Sequence, residues 1–185
     1  MIDNTKMVRI VQEICKFIVT YAYVGKISKA PGTFGSLATI ISIMALSSFT
    51  GKNLPILFAD PNKWMIFATI VYLISYVAVS IYIRDTDGHD PKEVVIDEFI
   101  GQLLSVVISI GIFKFFSASL VLTSIFLVLN FIFFRIFDIF KPWPVSYFDQ
   151  NFKNAHGVLL DDVFAGIFSG SVVYGIFFSY SYYLL

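Results

Sequence analysis

The sequence predicts an all-α fold: a polytopic membrane helix bundle of about four to five membrane segments, preceded by an N-terminal amphipathic helix. Three observations predict it. Hydrophobic residues make up 57% of the 185 and charged residues 14%, with a mean hydropathy of +0.80. A soluble domain carries about 25% charged residues. Three stretches, 64–83, 115–134 and 163–185, contain no charged residue. Each reaches the roughly 20 residues that a ~30 Å hydrocarbon core requires. The acidic residues gather at the ends of apolar runs: Asp97 and Glu98 open one, Asp138 lies just beyond the next, and Asp161 and Asp162 open the last. The length suits a single domain over 1–185.

Residues 8–24 carry Arg9, Glu13 and Lys16 and are followed by no A-x-A site, which argues against a signal peptide. Ile10, Val11, Ile14, Phe17, Ile18 and Tyr21 recur at helical spacing with the charges on the other side. That pattern suits a helix lying in the membrane interface or one packed on the bundle. The single Cys15 has no disulfide partner and belongs to no metal or nucleophile pattern, so it reads as a packing residue.

Two apolar runs, 36–49 and 99–113, are short. At 1.5 Å per residue they reach only ~21–23 Å, enough to cross with local thinning or to form re-entrant pieces. If all five runs cross, Lys26, Lys29, Arg84, Lys92, Arg135, Lys141 and Lys153 fall on one face, and Lys52, Lys63 and Lys114 on the other. The excess of positive charge puts the face bearing the acidic residues in the cytoplasm. Zero net charge argues against a nucleic-acid partner.

Four constellations share that face. Ala30-Pro-Gly-Thr-Phe-Gly-Ser36 precedes the first run; Gly32 and Gly35 permit close approach, and Thr33 or Ser36 is placed to cap a helix whose N–H groups suit a phosphate. In Val94-Val-Ile-Asp-Glu-Phe-Ile-Gly101, Asp97 and Glu98 point about 100° apart on a helix, and Gly101 clears space above Asp97. Arg135, Asp138 and Lys141 of Phe134-Arg-Ile-Phe-Asp-Ile-Phe-Lys-Pro-Trp-Pro144 lie on one helical face, offering two cations to phosphate oxygens and a carboxylate to a metal. Pro142 and Pro144 stop that helix. Finally come Asp149 and Gly157-Val-Leu-Leu-Asp-Asp-Val-Phe-Ala-Gly166, in which Asp161 and Asp162 repeat the acidic-pair layout, and Gly166 and Gly170 form a small-xxx-small pair. Plain helix caps and interfacial ion pairs account for each constellation singly; their recurrence on one face does not. His89 and His156 sit among hydrophilic neighbours and read as solvated loop residues.

Oxygen ligands without a Cys/His set favour Mg²⁺ over zinc. The sequence lacks a Cys-x5-Arg loop, an Asp-x-Asp-x-Thr nucleophile motif and the long Asp-Gly-Ala-Arg pattern of CDP-alcohol phosphotransferases. The chain resembles the phosphatidylglycerophosphatase A family in Pro31-Gly-Thr-Phe-Gly-Ser36, Asp97-Glu98 with Gly101, Arg135-x-x-Asp138-x-x-Lys141-Pro142-x-Pro144, and Gly157 with Asp161-Asp162-x-x-Ala165-Gly166. These blocks follow the family's order across most of 25–170. Asn154-Ala155 stands where that family usually has Gly-Gly. The resemblance implies an integral membrane, Mg²⁺-dependent enzyme of the bacterial inner membrane that dephosphorylates phosphatidylglycerophosphate to phosphatidylglycerol. It implies catalytic roles for Asp97, Glu98, Asp138 and Asp162, metal ligation by these and Asp161, and phosphate binding by Thr33, Gly35, Ser36, Arg135 and Lys141. Three readings compete: a phosphatase for another lipid phosphate, such as a prenyl pyrophosphate or phosphatidic acid, a cation transporter built on the same acids, and a binding subunit that holds Mg²⁺ or lipid without turnover.

Overall fold

The computed structural model describes residues 4–27, 29–85, 91–113, 119–152 and 154–184; His89, Lys114 and Lys153 lie outside them. Among the described residues there is no strand. In chain order come α1 (Asn4–Val19), α2 (Pro31–Thr50), a one-turn α3 (Leu54–Leu57), α4 (Pro61–Tyr82), α5 (Ile96–Phe113), α6 (Leu120–Phe140), a short α7 (Val145–Asn151) and α8 (Ala155–Leu184). Five of them, α2, α4, α5, α6 and α8, are long and apolar enough to cross a membrane.

The short apolar runs are parts of longer helices. Run 36–49 is the tail of α2, which begins five residues earlier at Pro31. Proline suits the first helical position, where no N–H is needed and its fixed φ fits the helix. Ala30, at φ 54°, turns the chain into it. Thr33 and Ser36 thus lie within the helix rather than capping it, and Ser36 Oγ donates to the Gly32 carbonyl at 2.9 Å. Run 99–113 likewise starts earlier, at Ile96, giving 18 residues or ~27 Å.

That second helix is the one most enclosed by the rest of the protein. In α5, 78% of the spanning window is buried, against 22–33% in the other four. It forms the axis of the bundle, packed by α2, α4, α6 and α8. Gln102, Ser105 and Ser109 are fully buried along it. Ser105 Oγ lies 2.7 Å from both Asn130 Oδ1 and Ser169 Oγ, and Ser109 Oγ donates to Asn130 Oδ1 at 3.0 Å. The network ties α5, α6 and α8 where no water is at hand to satisfy a stray polar group.

Gly166 and Gly170 find their close neighbour in α5. A Cβ on Gly166 would strike the Gly101 carbonyl, and one on Gly101 would sit 2.5 Å from both the Asp162 carbonyl oxygen and a Phe134 ring carbon. Gly101 therefore clears room for α8 rather than for the Asp97 carboxylate.

Helix α1 packs on the bundle along one edge and leaves an apolar strip exposed. Cys15 and Val19 are buried in the core, while Met7, Ile10, Ile14 and Phe17 form an exposed apolar strip opposite Arg9 and Lys16. One edge docks on α4 and the rest is free to lie in lipid headgroups. Its end is fixed to the bundle by the Val95 N–H, which donates to the Val19 carbonyl at 2.9 Å.

Candidate active site

A cavity of about 450 Å³ opens at the end of the bundle where α2, α5 and α8 begin and α6 finishes. Thr33, Asp97, Glu98, Arg135, Asp138, Lys141, Asp161 and Asp162 all line it. The chain's alternating course through five helices brings these distant residues to one end.

Two helices supply paired acids by the same local device. On α5 the Asp97 Oδ1 accepts the Glu98 N–H at 3.0 Å, and on α8 the Asp161 Oδ1 accepts the Asp162 N–H at 3.0 Å. The second pair does not open its helix. α8 starts at Ala155, so the acids sit two turns inside it. At 30 residues α8 is ~45 Å long, more than a ~30 Å hydrocarbon core needs. That surplus leaves length for its first turns, which carry the acids, to extend beyond such a layer.

Asp97, Glu98 and Asp162 offer carboxylate oxygens within 4.8 Å of one another. Glu98 Oε2 is buried and has no hydrogen-bond partner. The other two acids are matched to cations. Asp138 pairs with Arg135 at 2.6 Å, and Asp161 accepts from Lys141 at 2.6 Å. Lys141 also contacts Asp149 at 2.5 Å. At φ 43° it ends α6 and directs its side chain back over the cavity. Burial works against its ammonium charge, but the facing Asp161 and Asp149 carboxylates outweigh that and hold its pKa above the usual lysine value.

Gly32 lies between the acids and the arginine. A Cβ there would run into Glu98 Oε1 and come within 3.2–3.3 Å of the Arg135 guanidinium nitrogens. Two predicted residues stand back from the cavity. Gly35 is buried, its Cα facing Val95, whose Cβ would lie 2.9 Å from an added Cβ, so it serves the α2–α5 approach. Ser36 is behind Arg135, accepting a long bond from its Nη1 at 3.4 Å.

Asp149, singled out with the last constellation, joins the site through Lys141, which it reaches because the chain reverses through Lys-Pro-Trp-Pro into α7. Two features were not expected from the sequence. Lys92 reaches the rim from the segment before α5. His156 is no solvated loop residue: it lies in the first turn of α8, where Tyr72 Oη is 2.9 Å from its Nδ1 and the Tyr76 ring stacks 4.2 Å away. It braces α8 against α4, outside the cavity.

The cavity wall presents six carboxylates (Asp97, Glu98, Asp138, Asp149, Asp161 and Asp162) to three cations (Lys92, Arg135 and Lys141). Such an excess of negative oxygen donors suits a hard divalent cation. The family model for phosphatidylglycerophosphatase A matches residues 17–177, nearly the whole chain. The chain belongs to the phosphatidylglycerophosphatase A family. A Haemophilus influenzae phosphatidylglycerophosphatase A is 33% identical over 152 residues, 82% of each chain. Its Escherichia coli counterpart is 30% identical over 150 residues, covering 78% of this chain and 72% of that one. A Bacteroides thetaiotaomicron protein, provisionally named a phosphatidylinositol-3-phosphatase, is 29% identical over 144 residues, with 76% and 79% covered. No solved structure matches the chain.

Within the family frame, the departure at Asn154-Ala155 has a structural account. Asn154 Oδ1 accepts the N–H groups of His156 at 3.0 Å and Gly157 at 3.2 Å, capping α8, and Ala155 is buried. The neighbouring Gly157 is required, since a Cβ would collide with the Phe152 carbonyl.

Proposed function

We propose that this cavity hydrolyses the terminal phosphomonoester of phosphatidylglycerophosphate to give phosphatidylglycerol and inorganic phosphate, with Mg²⁺ as cofactor. The observation that carries the reading is the Asp97–Glu98–Asp162 cluster, with its buried unpartnered oxygen, beside two cations tethered at the same opening.

A dianionic phosphate meeting six carboxylates and three cations would be repelled. The donor set therefore calls for added positive charge, and all of its ligands are oxygens, as Mg²⁺ prefers. Asp97, Glu98 and Asp162 would hold the ion, which supplies charge neutralisation at the phosphoryl oxygens and acidifies water for attack. Asp138 and Asp161 take a different part. They hold Arg135 and Lys141 in place, so that guanidinium and ammonium meet the phosphate pre-oriented rather than paying to order long side chains. The first-turn N–H groups of Gly32 and Thr33, which have no carbonyl partner within α2, add donors on the same side. Gly32 keeps the gap open in which the phosphate meets both Glu98 and Arg135.

The substrate carries its phosphomonoester at a membrane surface, where these carboxylates lie at one end of the bundle. That position also counts against an ion pathway, whose acids belong near the midplane. We read the site as facing the cytoplasm of a bacterial inner membrane, on the seven-to-three excess of basic residues at that end. The test is phosphate release from phosphatidylglycerophosphate by purified protein with Mg²⁺ and with EDTA. Release that needs Mg²⁺ and is lost in Asp97→Asn is expected. Faster release from phosphatidic acid or a phosphoinositide would replace the substrate, and Mg²⁺ flux into proteoliposomes without phosphate release would replace the reaction.

A further inference from the structure

Next to the catalytic cavity, a separate apolar groove lies between α2 and α6. On α2, Thr33 lines the cavity, and Leu37, Ile40 and Met44 follow it at i+4, i+7 and i+11, a single helical stripe. On α6, Asp138 and Arg135 line the cavity, and Phe131, Val128 and Leu127 extend the same stripe toward the other face. The groove encloses about 230 Å³ and runs ~10 Å from Leu37 to Met44. It is open to lipid along its length, with Leu37 40%, Met44 48% and Val128 53% exposed. At its mouth, α2 and α6 are bridged by the long Arg135–Ser36 bond.

We propose that this groove binds one acyl chain of the lipid substrate, so that the substrate enters sideways between α2 and α6 with its phosphate already directed at Arg135. The inference rests on the lipid-phosphate reading above. A second groove, of about 280 Å³ between α4, α5 and α8, does not compete for the role. Leu160, Val163 and Ile167 line it from the face of α8 opposite Asp161 and Asp162, so a chain lying there points its headgroup away from the acids.

The experiment uses phosphatidylglycerophosphate bearing a photoactivatable diazirine midway along one acyl chain, cross-linked to full-length protein in bilayers and mapped by mass spectrometry. Labelling on 37–44 and 123–131 that excess unlabelled phosphatidylglycerophosphate displaces, and phosphatidylcholine does not, is expected. Uniform labelling of the lipid-facing helices, or labelling insensitive to the competitor, overturns the groove. Phosphate release measured in parallel separates the two readings. Release without groove labelling sinks the groove alone; competed groove labelling without release sinks the reaction alone. As a kinetic check, Met44→Trp should lower the ratio of kcat/KM for the diacyl substrate over its deacylated headgroup roughly tenfold, the cost of displacing about two methylenes. Ile66→Trp, on the outer face of α4, should leave that ratio unchanged. An unchanged ratio in both variants also overturns the proposal.

Discussion

Gly32 shows how much of the site depends on one missing side chain. A methyl group there enters the space between Glu98 Oε1 and the Arg135 guanidinium, yet its position at the end of a helix leaves the core untouched. Gly32→Ala should therefore lower kcat on the order of a hundredfold by displacing the groups that meet the phosphate, while the melting temperature in detergent stays near the parent's. A parallel loss of melting temperature would make the glycine a folding residue instead. The five acids divide in a way the motifs alone do not express, since spacing gives Asp138 and Asp161 the same standing as Asp97. The salt bridges separate them. Glu98→Gln should weaken Mg²⁺ binding by isothermal titration, whereas Asp138→Asn, which releases Arg135, should raise KM and leave Mg²⁺ affinity near the parent's. Equal losses of Mg²⁺ affinity in both variants would return Asp138 to the metal. Asp149 stood out in the sequence, but its partner was not legible because nothing local marks it. Its value comes from a chain reversal that brings it to Lys141.

Among the helices, apolar runs told which segments cross but not where the helices begin. The runs 36–49 and 99–113 stop where polar residues start, whereas α2 and α8 continue through their polar motifs because backbone bonding does not depend on side-chain polarity. The turns were hidden for another reason. Tyr21, Ala22, Tyr23, Ala30 and Lys141 all adopt positive φ without being glycine, a conformation that sequence rules assign to Gly or Asn. The central place of α5 was hidden too, because a span walled by protein reads simply as a short run. Its contact with α8 is the joint that holds Asp97 and Glu98 against Asp162. Gly101→Ala would push a methyl into the Asp162 carbonyl and the Phe134 ring. The expected cost is about 1–3 kcal/mol of stability, together with a loss of activity beyond the loss of folded protein, because the acid cluster is spread. Full activity in the folded fraction would show that the cluster tolerates a wider α5–α8 spacing.

At the scale of the whole molecule, chemistry and orientation follow from one asymmetry. Alternating helix directions start α2, α5 and α8 at the same end and bring α6 back to it, so acids spread over more than sixty residues of sequence share one opening. The basic residues crowd that side as well, and an excess of Lys and Arg in short segments is the basis of the proposed cytoplasmic orientation of that end. The exposed apolar strip of α1 is held to the same end, since the end of the helix is hydrogen-bonded to the residue that leads into α5. Orientation is thus a consequence to be measured. Single cysteines at Lys52 and Gln150, both exposed and on opposite ends, report it cleanly because Cys15 is buried. A membrane-impermeant maleimide should label Lys52→Cys in right-side-out vesicles and Gln150→Cys only in inverted ones. The reverse pattern would put the phosphatase opening outside, and the substrate would then have to be presented from the other leaflet.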